Sequence, residues 1–441
     1  MPDRDVAVVG LGYVGIPLAV LLAEKGLDVV GMDLSRERVD AINAGELPLK
    51  GDEPGLAQKL KKVVKAGKLR AAGSYDALSD RTAVFVCVDT PLDDQRRPDQ
   101  SRLLTAVTGI GENMRRGTLV VIESTVAPGT MVNVVAPALE LVSGMARGKD
   151  FKLAHCPERV MPGRLIHNLT TYDRVLGGLD KVSISRASAI YSRIMKGKLH
   201  PTDLTSAEIV KTSENAYRDV QIAFANEVGL ICEKLGVDAF EVRRLVNTCP
   251  FRDMHIPGAG VGGHCLPKDP WLLAYGGRAA EPHLIPVARA INDGMPFHML
   301  DLVEDALKEA GIRRKDAVVA VLGASFLQDS GDARNSPSVP VIEGMSTAKE
   351  LRVHDPYLKE MAGAEVTDDV KAALSGADIA VFMVSHKEYA GLTPSKLKRM
   401  MRTPVVVDGR NIFDGAAMAK AGFVYRGLGK GLSRAARPGR P

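Results

Sequence analysis

DVAVVGLGYVG, residues 5–15, determines how the first part of this chain folds. An apolar strand-like run, 6–9, is followed by Gly10, Gly12 and Gly15 in the spacing Gly-x-Gly-x-x-Gly. In a strand–turn–helix unit the first glycine permits a tight turn, the second lets the backbone reach a pyrophosphate, and the third permits helix–strand contact. The N-terminus of the following helix attracts the phosphates. The stretch therefore predicts a dinucleotide-binding unit.

An acidic residue marks the end of the next predicted strand. Asp33 lies 18 residues after Gly15, where a carboxylate would bind the adenine-ribose hydroxyls and favour NAD over NADP. Arg36 and Arg38 lie nearby and would weaken that preference. The alternative is a structural glycine turn that binds no nucleotide. The predicted cofactor contacts in this region are Gly10, Gly12, Tyr13, Val14, Gly15, Asp33 and Arg38.

Short β-branched runs alternate with helical patterns, such as 17–25, through the first part of the chain. This alternation predicts an α/β fold with a parallel sheet wound on both faces. The strand candidates are 5–10, 28–33, 83–88, 119–123, 151–155 and 174–177.

A different pattern begins at Thr205-Ser206-Ala207-Glu208, which has the sequence of a capping box. It predicts a long helix ending near Gly236, and further helices at 239–246 and 286–310 flank a Gly/Pro-rich segment. Strand candidates return at 317–323, 350–354, 379–384 and 405–408. The predicted parts are an N-terminal Rossmann domain at 1–204, a helical middle domain at 205–312, a Rossmann-like α/β domain at 313–428 and a disordered basic tail at 429–441.

Composition excludes several classes of protein. The chain has 441 residues, 45% hydrophobic and 25% charged, as in an ordinary globular protein. No uncharged run approaches the ~20 residues needed to cross a bilayer, and no N-terminal targeting pattern is present. The five cysteines form neither a CxxC pair nor a zinc spacing. We therefore expect a cytoplasmic protein without a metal site, and no nucleic-acid or membrane partner.

A second motif, GGHCLPKD at 262–269, carries chemistry. Cys265 follows a two-glycine bend, where the small residues would let the backbone approach a ligand, and Asp269 lies four positions later. A reactive thiolate needs a nearby cation or base. A reachable thiol together with a dinucleotide loop suggests an oxidoreductase that also bonds covalently to its substrate. Cys156, without such a glycine context, is interpreted as structural.

Other candidate residues lie at strand ends and on the long helix. Lys211 and Asn215, four apart, share one helix face and would steady an oxyanion, although most such pairs are solvated surface. Glu158 would serve as a general base, or pair with Arg159. Hydroxyls at strand ends, Thr90 and Thr125, would bind cofactor or water, or simply form turns. Two arginines at turns suit a diphosphate, or form surface ion pairs: Arg334 and Arg410.

The ordered motifs GLGYVGIPLA, AINAGELPLKGDEPGL, VDTP, STVAPGT, CPERVMPGR, EIVKTSEN, GAGVGGHCLPKDP, DARNSPS and VDGRNIF resemble those of the UDP-glucose/GDP-mannose dehydrogenase family, from about residue 5 to 427. The resemblance implies an NAD-binding domain, a helical middle that forms dimers or multiples of dimers, and a UDP-binding domain. It also implies oxidation of a nucleotide-sugar C6 hydroxyl to a carboxylate in two NAD-linked steps.

The resemblance also assigns roles to individual residues. Cys265 resembles the nucleophile that forms a thiohemiacetal and then a thioester. Lys211 and Asp269 resemble the pair that handles the alcohol proton and the oxyanion, with Asn215 as their helical partner. Glu158 resembles the base for thioester hydrolysis. The remaining implied contacts are Thr125 to water and cofactor, Thr90 and Arg334 to cofactor, Arg252 to the neighbouring subunit's substrate, and Glu158, Arg159, Lys211, Asn215, Gly262, Phe326 and Arg410 to substrate.

Two motifs, CPERVMPGR and GGHCLPKDPW, resemble the branch that acts on UDP-N-acetylhexosamines. UDP-N-acetyl-D-mannosamine is the expected substrate, with UDP-N-acetyl-D-glucosamine and UDP-glucose as alternatives. One departure is Leu327-Gln328, where many relatives have a lysine.

A one-step β-hydroxyacid dehydrogenase would need neither Cys265 nor a second α/β domain. A catalytically silent NAD- or UDP-sugar-binding protein is predicted to have lost the nucleophile or the base, yet both are present.

Overall fold

A computed structural model describes residues 5–49 and 53–431 of the chain. The chain divides into two compact units. The first, called here the N-terminal unit, comprises Met1–Glu214 and Trp271–Glu281; the second, the C-terminal unit, comprises Asn215–Pro270 and Pro282–Pro441. Each unit contains one twisted sheet with helices on its faces, which confirms the predicted α/β class.

An eight-stranded sheet forms the centre of the N-terminal unit, in the order β3-β2-β1-β4-β5-β6-β7-β8. Its strands are β1 Asp5–Val9, β2 Asp28–Met32, β3 Leu69–Ala72, β4 Ala83–Val86, β5 Leu119–Ile122, β6 Lys152–His155, β7 Arg174–Gly178 and β8 Leu199–Asp203. Its helices are α1 Gly15–Glu24, α2 Arg36–Asn43, α3 Leu56–Lys65, α4 Ser101–Asn113, α5 Ala136–Ser143, α6 Leu165–Thr171 and α7 Lys181–Ile194.

Alternating side chains on β1 explain the two layers of helices. Val6 and Val8 point into one core cluster and Ala7 and Val9 into the other, on the opposite face of the sheet. A strand buried on both faces is apolar throughout, which is why this run was recognisable in the sequence.

The prediction of a parallel sheet was wrong for the last two strands. β7 pairs antiparallel with β6, and β8 then runs parallel to β7. For β7 to run parallel to β6, the connection between them would have to carry the chain back along the full length of the strands. The segment 156–173 holds only the seven-residue α6, so β7 starts at the edge where β6 ends. β3 and β8 were not predicted, because both are edge strands and β8 is the polar sequence LHPTD.

The long predicted helix is α8, Leu204–Leu235, and it contributes residues to both units. It ends before Gly236, whose φ of +75° stops the helix as predicted. The predicted capping box was wrong. Asp203 accepts the hydrogen bond from the Ser206 backbone N–H (2.9 Å), so α8 begins earlier, and Glu208 binds another segment of the chain.

The C-terminal unit contains a seven-stranded sheet in the order β11-β12-β10-β9-β13-β14-β15, with β11 antiparallel to β12. Its strands are β9 Val318–Leu322, β10 Glu350–His354, β11 Glu360–Met361, β12 Ala364–Thr367, β13 Ile379–Phe382, β14 Val405–Asp408 and β15 Val424–Gly427. The further α-helices of the described residues are α9 Ala239–Val246, α10 Asp269–Gly276, α11 Leu284–Glu309, α12 Ser338–Gly344, α13 Val370–Leu374, α14 Pro394–Met400 and α15 Gly415–Lys420.

The four strands predicted in this region are the four central ones, β10, β9, β13 and β14, and the three that were missed lie at the two edges. Two apolar clusters cover the two faces of the sheet. Over the described residues, the helices include none that is long and apolar enough to span a bilayer. Residues 432–441 of the predicted tail lie outside the described residues, and the domain boundaries proposed from the sequence remain predictions.

Candidate functional site

The glycine loop after β1 has the conformation that its spacing predicts. Gly10 has a φ of +88°, and a Cβ there would lie 2.7 Å from the Cys87 carbonyl oxygen. A Cβ on Gly15 would overlap the Gly10 carbonyl oxygen, so α1 can start this close to the turn only with glycine. A Cβ on Gly12 would meet nothing within 4 Å. This position therefore borders open space at the N-terminus of α1, which fits a pyrophosphate.

Asp33 follows β2 and is held in place by the main chain. Its Oδ2 accepts from the Leu11 N–H (2.8 Å) and its Oδ1 from the Ser35 N–H (2.9 Å). Arg38 also donates to Oδ2 (2.9 Å), so the two predicted cofactor residues form an ion pair. The carboxylate is thus fixed beside the loop 10–15, and its contact with a ribose remains a prediction.

The two threonines predicted to bind cofactor or water belong to adjoining turns. Thr90 donates its hydroxyl to the Thr125 carbonyl oxygen (2.6 Å), and Ser124 donates to the Val88 carbonyl oxygen (2.6 Å). These bonds join the turn after β4 to the turn after β5. Thr90 and Thr125 are each 8% exposed. The turns are therefore braced against one another at the carboxyl ends of two neighbouring strands.

Glu208 also holds the turn after β5, a role that the sequence did not reveal. Its carboxylate oxygens accept from the backbone N–H groups of Gly129 and Met131, each at 2.7 Å. The side chain is fully buried, and this burial raises the pKa of Glu208 to about 7. The capping-box pattern concealed this contact, because nothing in a sequence tells a local capping partner from a distant one.

Lys211 and Glu158 lie close together in the N-terminal unit. Lys211 Nζ is 3.8 Å from Glu158 Oε1, and both side chains are largely buried. Glu158 Oε2 accepts from the Val160 N–H (2.5 Å), which fixes the carboxylate in its turn. The alternative pairing of Glu158 with Arg159 does not form, because Arg159 pairs with Glu214. A buried amine beside a carboxylate is an arrangement suited to proton transfer.

Cys265 begins the second group of predicted residues, in the C-terminal unit. Its carbonyl oxygen accepts from the backbone N–H groups of Lys268 (3.0 Å) and Asp269 (2.8 Å), which starts α10. Asn215 donates to Asp269 Oδ2 (2.6 Å), and Lys268 Nζ lies 3.0 Å from Asp269 Oδ1. Cys265 itself is half-buried. The structure therefore joins Asn215, Asp269 and the cysteine turn.

The glycines before Cys265 lie against other segments of the C-terminal unit. A Cβ on Gly263 would lie 2.9 Å from the Phe326 ring, and one on Gly262 would lie 2.8 Å from the Asn335 carbonyl oxygen. Gly263 also donates its N–H to the Arg334 carbonyl oxygen (2.8 Å). The absence of a Cβ at both glycines therefore lets these protein segments pack closely, and the expected approach of a ligand to this bend remains a prediction.

The three predicted arginines of the C-terminal unit differ in environment. Arg410 is half-buried, donates from Nε to the Met383 carbonyl oxygen (2.8 Å) and lies where a Cβ on Gly258 would touch it. Arg334 pairs with Asp332, with Nε 2.9 Å from Oδ1. Arg252 lies at an exposed turn and donates to the Phe251 carbonyl oxygen (3.3 Å). Arg410, through its side chain, and Arg334, through its backbone carbonyl oxygen, therefore adjoin the segment 258–263 that leads to Cys265.

Three models of the UDP-glucose/GDP-mannose dehydrogenase family match the chain in sequence. The NAD binding domain matches residues 4–195, the central domain residues 205–294, and the UDP binding domain residues 320–415. The order of the three matches is that of the predicted domains.

Relatives in sequence match over nearly their whole length. A UDP-N-acetyl-D-mannosamine dehydrogenase of Pyrococcus horikoshii is 39% identical over 97% of this chain and 99% of its own. An NDP-N-acetyl-D-galactosaminuronic acid dehydrogenase of Ralstonia nicotianae is 35% identical over 94% and 98%.

Solved structures agree with these matches. The UDP-N-acetyl-D-mannosamine dehydrogenase of Pyrococcus horikoshii superposes with a TM-score of 0.90 at 39% identity, over 97% of this chain and 99% of that one. An NDP-N-acetyl-D-galactosaminuronic acid dehydrogenase from Methanosarcina mazei gives 0.88 at 38% identity, over 98% and 96%. A UDP-glucose dehydrogenase from Pyrobaculum islandicum gives 0.83 at 29% identity, over 97% and 98%.

Proposed function

Because the chain belongs to the UDP-glucose/GDP-mannose dehydrogenase family, and is therefore an NAD-dependent oxidoreductase, we propose that it oxidises the C6 hydroxyl of UDP-N-acetyl-D-mannosamine to a carboxylate. The reaction removes four electrons in two steps. The observation that carries the mechanism is the cysteine turn, in which Cys265 precedes a buried Asp269 that Asn215 and Lys268 hold in place.

The residues around the glycine loop fit NAD. Gly10, Gly12 and Gly15 with Tyr13 and Val14 would hold the pyrophosphate, and Asp33 the adenine ribose, with Arg38 beside it. Thr90 and Thr125 border the same edge of the sheet, and Arg334 is proposed as a further contact. Two NAD molecules, bound one after the other, would supply the hydride acceptors for the two oxidations.

Lys211 and Asp269 handle the proton and the developing negative charge in the first oxidation. As the C6 alcohol becomes an aldehyde, its hydroxyl proton passes through a water molecule to Asp269, and Lys211 stabilises the negative charge that develops on the oxygen. Asn215 fixes the Asp269 carboxylate through its 2.6 Å hydrogen bond. Loss of Lys211 or of Asp269 should therefore slow the first oxidation.

Cys265 makes the second oxidation possible. Its sulfur adds to the aldehyde carbon while the aldehyde oxygen takes up a proton. The resulting thiohemiacetal loses a hydride from its carbon and gives its hydroxyl proton back to the Lys211–Asp269 pair, which leaves a thioester. Water then attacks the thioester carbonyl carbon while Glu158 accepts a proton from the water. The carbon–sulfur bond breaks, and the Cys265 thiolate leaves.

Substrate recognition is assigned to Arg159, Arg252, Gly262, Phe326 and Arg410, in addition to the residues that carry out the chemistry.

The proposed homodimer has support in an exposed apolar stripe of α8. Tyr217, Phe224 and Ile231 recur every seven residues and are 67%, 57% and 51% exposed. Apolar side chains at this spacing lie on one face of a helix, and such a face favours burial against a second copy. The cytoplasmic location remains a prediction.

The substrate assignment is tested by comparing sugars. Purified enzyme with NAD is offered UDP-N-acetyl-D-mannosamine, UDP-N-acetyl-D-glucosamine and UDP-glucose separately, and kcat/KM is obtained from NADH absorbance. We expect a preference for UDP-N-acetyl-D-mannosamine. A higher kcat/KM for UDP-N-acetyl-D-glucosamine or UDP-glucose would make that sugar the assigned substrate instead. No NADH with any of the three would favour the catalytically silent binding protein.

A further inference from the structure

A buried charged cluster in the N-terminal unit has no part in the mechanism above. It consists of Arg174, Glu123 and Tyr191, each at most 1% exposed, and is called here the Arg174 network. Arg174 Nη2 donates both to Glu123 Oε2 and to the Cys156 carbonyl oxygen. Tyr191 donates its hydroxyl to Glu123 Oε1 (2.5 Å), and its ring lies 4.9 Å from the guanidinium carbon.

The direction of β7 places Arg174 at the edge of the sheet where the candidate residues are. Arg174 is the first residue of β7, and β7 runs antiparallel to β6. Its guanidinium therefore lies where β5 and β6 end. Glu123 follows β5 and stands two residues before Thr125, and Cys156 follows β6 and stands two residues before Glu158. One guanidinium nitrogen thus links the turn that carries Thr125 to the turn that carries Glu158.

Stability alone does not explain the network. Moving a charged pair out of water costs several kcal/mol per ion, and well-packed apolar residues often stabilise a core as well or better. Among the residues that the structure describes, no hydrogen-bond partner is found for Arg174 Nε and Nη1. Burial holds the pKa of Tyr191 well above its ordinary value, so its hydroxyl remains a donor to Glu123. A buried guanidinium with two nitrogens left without partners in the described part of the chain is better explained by a need to hold the neighbouring turns at a fixed spacing.

We propose that Arg174, Glu123 and Tyr191 are positioning residues for hydrolysis of the Cys265 thioester. The inference rests on the proposed function. In that step Glu158 must take a proton from a water that Thr125 helps to hold, so the spacing of the two turns sets the rate. The hydride transfers do not use this water. The network therefore controls hydrolysis more strongly than the oxidation that precedes it.

Tyr191→Phe is the mildest test, because it removes one hydroxyl and keeps the ring against Arg174. Enzyme turning over UDP-N-acetyl-D-mannosamine with NAD is quenched in acid, and the acylated fraction is read from the intact mass. The burst of NADH that precedes hydrolysis is followed by stopped flow. We expect hydrolysis to slow by about threefold to tenfold, and by about 10- to 100-fold in Arg174→Lys, since small misplacements cost up to ~100-fold. The rate of the burst should change much less than the rate of hydrolysis in each variant.

Two further variants control the experiment. Tyr389→Phe removes an equally buried hydroxyl in the other unit, where it bonds His354 Nδ1 at 2.8 Å, and should leave the acylated fraction at the wild-type level. Glu158→Gln should accumulate the acylated enzyme directly. If Arg174→Lys does not fold, Tyr191→Phe alone decides.

The outcomes separate this inference from the proposed function. One combination of results would overturn the positioning role and leave the proposed function standing. In it, Glu158→Gln accumulates acylated enzyme, whereas Tyr191→Phe and any folded Arg174→Lys have the wild-type acylated fraction. Equal slowing of the burst and of hydrolysis would also overturn it, since that is the mark of a merely structural role. No acylated enzyme in Glu158→Gln would refute the thioester itself, and this inference with it.

Discussion

Replacing Glu208 by glutamine should remove a component of the pH dependence of stability. Glu208 is fully buried, and its pKa rises from an ordinary value of 4.5 to about 7 in the folded protein. A carboxyl group with a raised pKa binds its proton more tightly in the folded than in the unfolded chain, so its ionisation destabilises the fold as pH rises from about 4.5 to about 7. A shift of this size corresponds to roughly 3 kcal/mol at ~1.4 kcal/mol per pKa unit.

The measurement is the difference between the two proteins, because other groups titrate in the same range. Burial lowers the pKa of His155 to about 4, and since that group binds its proton more weakly when folded, its contribution changes with pH in the opposite direction. Subtracting the Glu208→Gln values from the wild-type values cancels His155. Trp271, the single tryptophan of the chain, belongs to the N-terminal unit and reports its unfolding by fluorescence in urea.

We expect the free energy of unfolding of the wild type, relative to Glu208→Gln, to fall by about 3 kcal/mol between pH 4.5 and pH 8. Most of the change should lie below pH 7. The variant should also be less active at every pH, because an amide NH₂ would face one of the two backbone N–H donors that the carboxylate satisfies. A difference in stability that does not vary with pH would refute this account of Glu208.

Three further predictions concern the cofactor and the assembly. Gly15→Ala should lower both stability and NAD affinity because its Cβ meets backbone, whereas Gly12→Ala should keep its melting temperature and lose only NAD affinity; equal melting temperatures would contradict this contrast. Asp33→Ala should reduce the preference for NAD over NADP by more than about tenfold, and an unchanged kcat/KM ratio for the two would refute the assignment. Phe224→Asp should lower the mass measured by light scattering toward one chain, while a mass equal to that of the wild type would argue against the α8 stripe as the dimer face.

Much of the fold was predictable because local physics dominates it. The buried central strands are continuous apolar runs, and the glycine loop needs residues without a Cβ at Gly10 and Gly15, so both appear directly in the sequence. Two edge strands gave no signal, because β8 is polar and β11 has only two residues. The direction of β7 depends on how residues 156–173 return, which no local pattern specifies.

The candidate site was predictable to a similar extent. The i, i+4 spacing of Lys211 and Asn215 on α8 followed from helical periodicity, and the structure adds the Asn215–Asp269 hydrogen bond. The partners of Glu208 and Arg174 were not predictable, because they lie 18 to 79 residues away in the chain. The packing of Gly263 against Phe326 was missed for the same reason.

The number of NADH molecules formed per molecule of UDP-N-acetyl-D-mannosamine consumed tests the central claim most directly. The proposed mechanism predicts two for the wild type. It predicts at most about one for Cys265→Ser, which can form the aldehyde but not the thioester. Two NADH from the serine variant at the wild-type rate, or only one from the wild type, would contradict the four-electron mechanism through Cys265.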